Sequence, residues 1–133
     1  MATILIVEDD LTTALLIRTM LTTIGHSVIS ALNGQQGLRM IRQHKPDLIL
    51  CDLVMPVMDG GALCSALNAD PEHRSIPIVV MTAMQDQFAR GHYECTGYLP
   101  KPFTATDLYA MIASLIDEAP HAPGDAREAL PGS

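Results

Sequence analysis

The sequence predicts a doubly wound α/β domain with a five-stranded parallel sheet and five helices. Short apolar or β-branched runs alternate with helix-like runs along the chain of 133 residues. The strand-like runs are continuously apolar, which is typical of parallel strands that are buried on both faces. Right-handed crossovers between such strands favour the spatial order 2-1-3-4-5.

The first half of the chain supplies three of the predicted strands and two of the helices. Gly25 ends the first helix, and Asn33 is suited to cap the second. These five elements are a strand at Thr3–Val7, a helix at Leu11–Ile24, a strand at Ser27–Leu32, a helix at Gln35–Gln43 and a strand at Asp47–Cys51.

The second half continues the alternation, with one poorly patterned helix. The pair Thr104-x-x-Asp107 predicts a capping box before the last helix. The elements are a helix at Asp59–Asn68, a strand at Ile76–Met81, a short or irregular fourth helix at about Gln85–His92, a strand at Gly97–Leu99 and a helix from Thr104 to about Glu118. Residues 119–133 contain three Pro and two Gly without apolar periodicity. We therefore expect one folded domain at 1–118 and a disordered tail at 119–133.

Composition excludes several classes of protein. The net charge of −7 disfavours direct nucleic-acid binding, because acidic surfaces repel phosphate backbones. Since no apolar run reaches membrane-spanning length, we expect no membrane insertion. Three cysteines without C-x-x-C spacing suit a reducing compartment, and Cys51 and Cys64 are interpreted as core residues. We expect a cytoplasmic domain.

Polar side chains follow four of the predicted strands. They are Glu8 and Asp9 after the first, Asp52 after the third, Thr82 after the fourth and Lys101 after the fifth. Because ligands bind beyond the carboxyl ends of strands in such sheets, these side chains should meet at one site. Carboxylate ligands suit Mg²⁺, and a nearby ammonium and hydroxyl suit a phosphoryl group that is transferred to Asp52.

Four short motifs identify a family. Together, in order and spacing, Glu8-Asp9, Asp52-Leu-Val-Met-Pro56, Thr82-Ala83 and Lys101-Pro102-Phe103 resemble the receiver domain of bacterial two-component response regulators. The resemblance covers residues 2–118 and implies a flavodoxin-like fold. It also implies a role for each matching residue. Asp52 would accept the phosphoryl group. Mg²⁺ would be held by Asp9, by Asp52, by Glu8 through water and by the backbone carbonyl of Val54.

Further roles follow from the same resemblance. Thr82 and Lys101 would contact the phosphoryl oxygens, and the Lys101–Pro102 bond would be cis. Tyr98 would be the aromatic switch residue that is coupled to Thr82.

An apolar face of the first helix suggests where a partner docks. Five residues can face the sheet: Leu16, Ile17, Met20, Leu21 and Ile24. Leu11 and Leu15 then point outward near the acidic site, and with Pro102 and Phe103 they could receive the phosphodonor protein. The alternative is a helix that is simply richer in Leu than its packing requires.

These observations predict a single-domain response regulator whose signalling state is controlled by Mg²⁺-dependent phosphorylation. Its donor would be a histidine kinase or a histidine phosphotransfer protein, and its output would be binding to a downstream protein target. We expect no enzymatic activity beyond its own phosphorylation and dephosphorylation at Asp52. Two alternatives remain: a phosphorylation-independent interaction scaffold, or a receiver excised from a longer multidomain regulator.

Overall fold

The computed structural model describes residues 2–53, 58, 60–82 and 95–116. Within these ranges the chain forms five strands and four helices. They are β1 (Thr3–Val7), α1 (Leu11–Thr23), β2 (Ser27–Ala31), α2 (Gly34–His44), β3 (Leu48–Asp52), α3 (Gly60–Asn68), β4 (Ile78–Thr82), β5 (Gly97–Pro100) and α4 (Ala105–Ile116). The fourth helix predicted at Gln85–His92 and the tail predicted at residues 119–133 lie outside the described residues.

The five strands form one parallel sheet in the order β2-β1-β3-β4-β5, which confirms the predicted fold class. Element bounds agree with the predictions to within two residues. One difference of two residues is the start of β4, predicted at Ile76 and found at Ile78. Pro77 explains it, because proline has no N–H to donate to a neighbouring strand, although its carbonyl accepts from Ile49 at 2.9 Å.

Helices cover both faces of the sheet, and the alternation of side chains along each strand divides the core into two layers. Leu5 and Val7 point to the layer beneath α2 and α3, whereas Ile4 and Ile6 point to the layer beneath α1 and α4. The apolar residues of the three central strands, β1, β3 and β4, are buried in these layers. The sheet is therefore a rigid support for whatever side chains lie at its edges.

Side chains cap the helices as the sequence predicts. The Asn33 side chain accepts a hydrogen bond from the Gln36 backbone N–H at 2.8 Å at the start of α2. At α4, Thr104 and Asp107 exchange reciprocal side chain to backbone hydrogen bonds of 3.0 and 3.1 Å, which confirms the capping box. Among the described residues, no helix is long and apolar enough to cross a membrane.

Helix α1 buries a narrower face than the sequence predicts. Ile17 and Leu21, one turn apart, are buried, and Met20 packs beside them. Leu16 is 56% exposed and Ile24 37% exposed, so the prediction that both face the sheet is wrong. Ile17 and Leu21, at positions i and i+4, lie on the same side of α1 and face the sheet. Leu16 lies on a different side of the helix.

Candidate functional site

Three carboxyl groups meet at the carboxyl edge of the sheet. Glu8 and Asp9 follow β1, Asp52 ends β3, and one carboxylate oxygen from each lies within 4.8 Å of the others. The pairing of Val7 with Cys51 in neighbouring strands explains this, because the residues that follow emerge side by side. Glu8 is buried, Asp9 is exposed and Asp52 is partly exposed, so the cluster opens to solvent on one side.

Lys101 supplies the cation of the site. Its backbone N–H donates to the Thr82 carbonyl at 2.6 Å, which extends the pairing of β5 with β4 beyond Pro100. Its Nζ then lies 3.1 Å from Asp52 Oδ1 and 3.5 Å from Glu8 Oε1. The bond between Lys101 and Pro102 is cis, as predicted. One ammonium thus bridges two of the three carboxylates.

The charges at this edge perturb one another. Burial, and then the charge of Asp52, raise the pKa of Glu8 to about 7. Burial alone would lower the pKa of Lys101, but the adjacent carboxylates of Asp52 and Glu8 raise it. Negative charge therefore exceeds positive charge at the site, and the most buried carboxyl group resists ionisation.

The backbone of Asp52 is held from behind by α3. The Gly60 N–H donates to the Leu53 carbonyl at 2.8 Å. A Cβ added at Gly60 would lie 2.6 Å from the Asp52 carbonyl oxygen and 2.9 Å from Leu53 Cα, both of which are backbone atoms. Only glycine allows this close approach, so Gly60 helps to fix where Asp52 lies.

Thr82 ends β4 beside Asp52. Its side chain is fully buried, and Oγ1 has no hydrogen-bond partner among the residues that the structure describes. A buried hydroxyl without a partner carries a desolvation cost that a ligand oxygen could relieve. A buried hydroxyl without a hydrogen-bond partner is expected at a ligand-binding site.

Thr82→Val is therefore expected to leave the free energy of unfolding unchanged or to raise it by up to about 1 kcal/mol, because it removes an unpaired buried hydroxyl at constant shape. Thr96→Val is the matched control. Thr96 Oγ1 accepts from the Ile78 N–H at 2.9 Å, so its loss should lower stability by about 1 kcal/mol. Urea denaturation measures both variants. A comparable loss in both would show that Thr82 already has a partner in the free protein.

The donor set fits a magnesium ion. Mg²⁺ prefers oxygen ligands and binds to proteins through a small number of carboxylates with several waters. Glu8, Asp9 and Asp52 provide such oxygens. Glu8 Oε1 is buried, with Lys101 Nζ at 3.5 Å but no hydrogen bond within the described residues. A divalent cation would also compensate the excess negative charge. Val54, whose carbonyl the resemblance implies as a further ligand, lies outside the described residues.

The remaining predicted site residues are distributed around this cluster. Leu11 and Leu15 are 69% and 63% exposed, as predicted, and Leu16 widens the apolar surface. Pro102 is exposed, whereas Phe103 is half-buried because it packs against the core beneath α4. Phe103 therefore offers less free apolar surface than the sequence suggests.

Tyr98 has surroundings that sequence reasoning missed. It pairs with Val80 in the sheet and packs, half-buried, against the core layer beneath α3. Cys95 packs against the same core layer, and its thiol donates a hydrogen bond to the Gly97 carbonyl at 3.4 Å. Interaction with the Cys64 side chain, and then with Tyr98, lowers the pKa of the Cys95 thiol to about 6. Cys64 and Cys95 are 31 residues apart in sequence, so only the fold brings them together.

A parallel sheet with an acidic cluster, a bridging lysine and a buried threonine at its carboxyl edge defines the class of receiver-like signalling domains. The family model of the response regulator receiver domain matches residues 4–113. The chain belongs to this family.

Solved structures agree with the fold. The signal receiver domain of a signal transduction histidine kinase from Syntrophus aciditrophicus has a TM-score of 0.86 and 29% identity, over 93% of this chain and 96% of that one. The receiver domain of a sensor histidine kinase from Pseudomonas aeruginosa, with a magnesium ion coordinated in its active-site cleft, has a TM-score of 0.82 and 30% identity, over 87% and 98% of the two chains.

The curated relatives are longer than this chain. A probable transcriptional regulator ycf27 of Pyropia yezoensis is 33% identical over 119 residues, which are 87% of this chain and 48% of the relative. The DNA-binding dual master transcriptional regulator RpaA of Synechocystis sp. is 32% identical over 130 residues, 96% of this chain and 54% of the relative. The chain thus spans about half the length of these relatives.

Proposed function

We propose that this domain is a phosphorylation-controlled switch in which Asp52 accepts a phosphoryl group from a histidine kinase or a histidine phosphotransfer protein. The observation that supports it best is the position of Lys101 Nζ, 3.1 Å from Asp52 Oδ1 and 3.5 Å from Glu8 Oε1. An ammonium at this position can stabilise negative charge on the Asp52 carboxylate before transfer and on the phosphoryl group during transfer.

Phosphoryl transfer mainly requires that the donor phosphorus and the Asp52 carboxylate are correctly positioned. An Asp52 carboxylate oxygen attacks the phosphorus, the bond from phosphorus to the donor's imidazole nitrogen breaks, and that nitrogen keeps the electron pair. Lys101 stabilises the charge on the phosphoryl oxygens. The Thr82 hydroxyl, which has no hydrogen-bond partner within the described ranges, donates to one of them. The domain then releases no product of its own, so it is a switch and not a turnover enzyme.

Magnesium completes this proposal. Asp9 and Asp52 would bind the ion directly and Glu8 through water, with the Val54 carbonyl as a further ligand. When bound, Mg²⁺ supplies charge neutralisation for the phosphoryl oxygens. The three-carboxylate cluster supports these assignments.

The wider setting follows from the same domain. We assign the receiver domain to residues 1–118 of a cytoplasmic protein whose output is contact with a downstream protein target. The net charge of −7 supports binding to proteins over direct binding of this domain to nucleic acid.

Intact mass after incubation with acetyl phosphate and Mg²⁺ tests the proposal. We expect one added phosphoryl group on the wild type and none on Asp52→Ala. Asp47→Ala is the control, because Asp47 accepts from the Thr3 N–H at the opposite edge of the sheet. Chelation of Mg²⁺ should abolish uptake by the wild type. A phosphoryl group that persists on Asp52→Ala, or a wild type that takes up none, would contradict the proposal.

The exposed leucines of α1 support a docking surface for the phosphodonor protein. Leu15→Ala is expected to slow transfer from such a protein by about tenfold, because a buried contact at an interface is worth about 1 kcal/mol or more. Transfer from acetyl phosphate, which needs no docking, should be unchanged. Ile24→Ala, at the C-terminal cap of the same helix, is the control. Equal protein-dependent rates for Leu15→Ala and the wild type would favour a helix that is merely rich in Leu.

A further inference from the structure

The first residue of α2 lies against the backbone of the segment between β3 and α3. The Gly34 N–H donates to the Met58 carbonyl at 2.9 Å, and Gly34 is buried. This N–H belongs to the first turn of α2, where backbone donors have no partner within the helix. The Met58 carbonyl therefore satisfies a donor that α2 leaves free, and the two segments meet through their backbones.

Only glycine fits at this contact. A Cβ added at Gly34 would lie 2.5 Å from the Met58 carbonyl oxygen and 2.7 Å from Met58 Cγ. Since carbon and oxygen atoms make contact at about 3.3 Å or more, the two backbones would have to separate by about 0.8 Å. Among the described glycines, positive φ occurs only at Gly25. The close approach, and not the backbone conformation, therefore requires glycine at position 34.

The same segment reaches the proposed phosphoacceptor. One residue separates Met58 from Gly60, so their Cα atoms are at most about 7 Å apart. A Cβ added at Gly60 would lie 2.6 Å from the Asp52 carbonyl oxygen, and the Gly60 N–H donates to the Leu53 carbonyl at 2.8 Å. These contacts are between backbone atoms, which cannot change rotamer to absorb a shift. A displacement of Met58 is therefore passed on to Asp52.

We propose that Gly34 is a positioning residue for phosphoryl transfer to Asp52. Its contact with Met58 supports the start of α3 from the side of α2. Gly60 then stays against the Asp52 backbone, and the Asp52 carboxylate keeps its place 3.1 Å from Lys101 Nζ. The inference rests on the proposed function, in which Asp52 attacks the phosphorus. Gly34 acts through Met58 and Gly60 and not on the reacting atoms.

A glycine that serves packing alone would behave differently. Its replacement would lower the stability of the protein and leave the reaction of the folded molecules unchanged. Loss of a positioning residue also slows the folded molecules, because a misplacement of about 1 Å can cost about 100-fold in rate. Gly37, one turn further along α2, offers the comparison. A Cβ added there would lie 3.0 Å from Val7 Cγ2, which is a side-chain atom of the core.

The rate of phosphoryl uptake from acetyl phosphate at saturating Mg²⁺, measured on the full chain beside urea denaturation, tests this inference. We expect Gly34→Ala to react about tenfold more slowly while circular dichroism shows it folded, and Gly37→Ala to stay within about twofold of the wild type whatever its stability. Adding Met58→Ala to Gly34→Ala should not restore the rate, because the closest contact is with the Met58 backbone oxygen. A wild-type rate in Gly34→Ala, or its recovery in the double variant, would overturn the proposal.

Amide hydrogen exchange tests the wild type without any substitution. The Gly34 N–H donates to Met58, whereas the Gly37 N–H donates to the Asn33 carbonyl at 2.9 Å within α2. Because coupling between two sites is reciprocal, a contact that positions Asp52 should be strengthened when Mg²⁺ binds there, and exchange should slow about fivefold more at Gly34 than at Gly37. Equal slowing at both amides would overturn the inference even if Gly34→Ala did not fold. A wild type that takes up no phosphoryl group would instead contradict the proposed function itself.

Discussion

Lys101→Met is expected to slow phosphoryl uptake from acetyl phosphate by about two orders of magnitude or more. Removing one preorganised charge or donor that faces the developing charge of a transition state costs about 100- to 1,000-fold in rate. Lys101 Nζ is within 3.1 Å of the proposed acceptor oxygen, and its side chain is only 30% exposed, so solvent screens it poorly. The time course of intact mass at saturating Mg²⁺ measures the rate.

Lys45→Met is the matched control for the loss of a lysine charge. Lys45 also forms an ion pair, with Glu72 at 3.1 Å, but both side chains are more than 60% exposed and lie away from the site. Its loss should change the uptake rate by less than about twofold, as exposed pairs contribute little. Circular dichroism confirms that both variants are folded. If Lys101→Met reacts within threefold of the wild type, Lys101 has no part in stabilising the transferred group.

The sequence predicts the site well because the site is a property of the topology. Once the strands are assigned as parallel, Glu8, Asp52 and Lys101 must reach the same edge, since each lies at or just beyond the end of a strand. No packing detail is needed for that inference. The fold itself follows from the same argument, because continuously apolar strands require cover on both faces.

Details that depend on the rotation of a helix or on contacts across the core were not predictable. Leu16 and Leu15 are both apolar and adjacent on α1, and only the angle at which the helix meets the sheet decides that both are exposed. The packing of Cys95 against the core layer that contains Cys64 depends on the separation of α3 and β5, which no local pattern encodes. Thr82 Oγ1 has no hydrogen-bond partner among the described residues, and this likewise depends on the packing of the surrounding elements.

The excess of carboxylates at the site has a consequence for stability. Glu8 is buried beside Asp52, and its pKa is raised from 4.5 to about 7 in the folded protein. The folded state therefore binds a proton that the unfolded state has already lost between these two values. In that window stability falls as pH rises, and above about pH 7 the full cost of ionising Glu8 is present.

Glu8→Gln is thus expected to raise the free energy of unfolding of the metal-free protein by about 2–3 kcal/mol at pH 8 and to change it little at pH 5. Glutamine keeps an oxygen for the Asp10 N–H, which donates to Glu8 Oε2 at 3.2 Å, and it removes the charge. Urea denaturation in the presence of a chelator, at several pH values, measures the difference between variant and wild type.

Glu72→Gln is the control for that experiment, because Glu72 is 65% exposed and its substitution should give a small difference at every pH. Measurements of stability in the presence of magnesium provide a complementary test. Since the ion favours the ionised carboxylates, it should stabilise the wild type more at pH 8 than at pH 5, and it should stabilise Glu8→Gln less than the wild type. A difference between Glu8→Gln and the wild type that does not vary with pH would show that the Glu8 carboxylate ionises in the folded protein as it does in the unfolded chain.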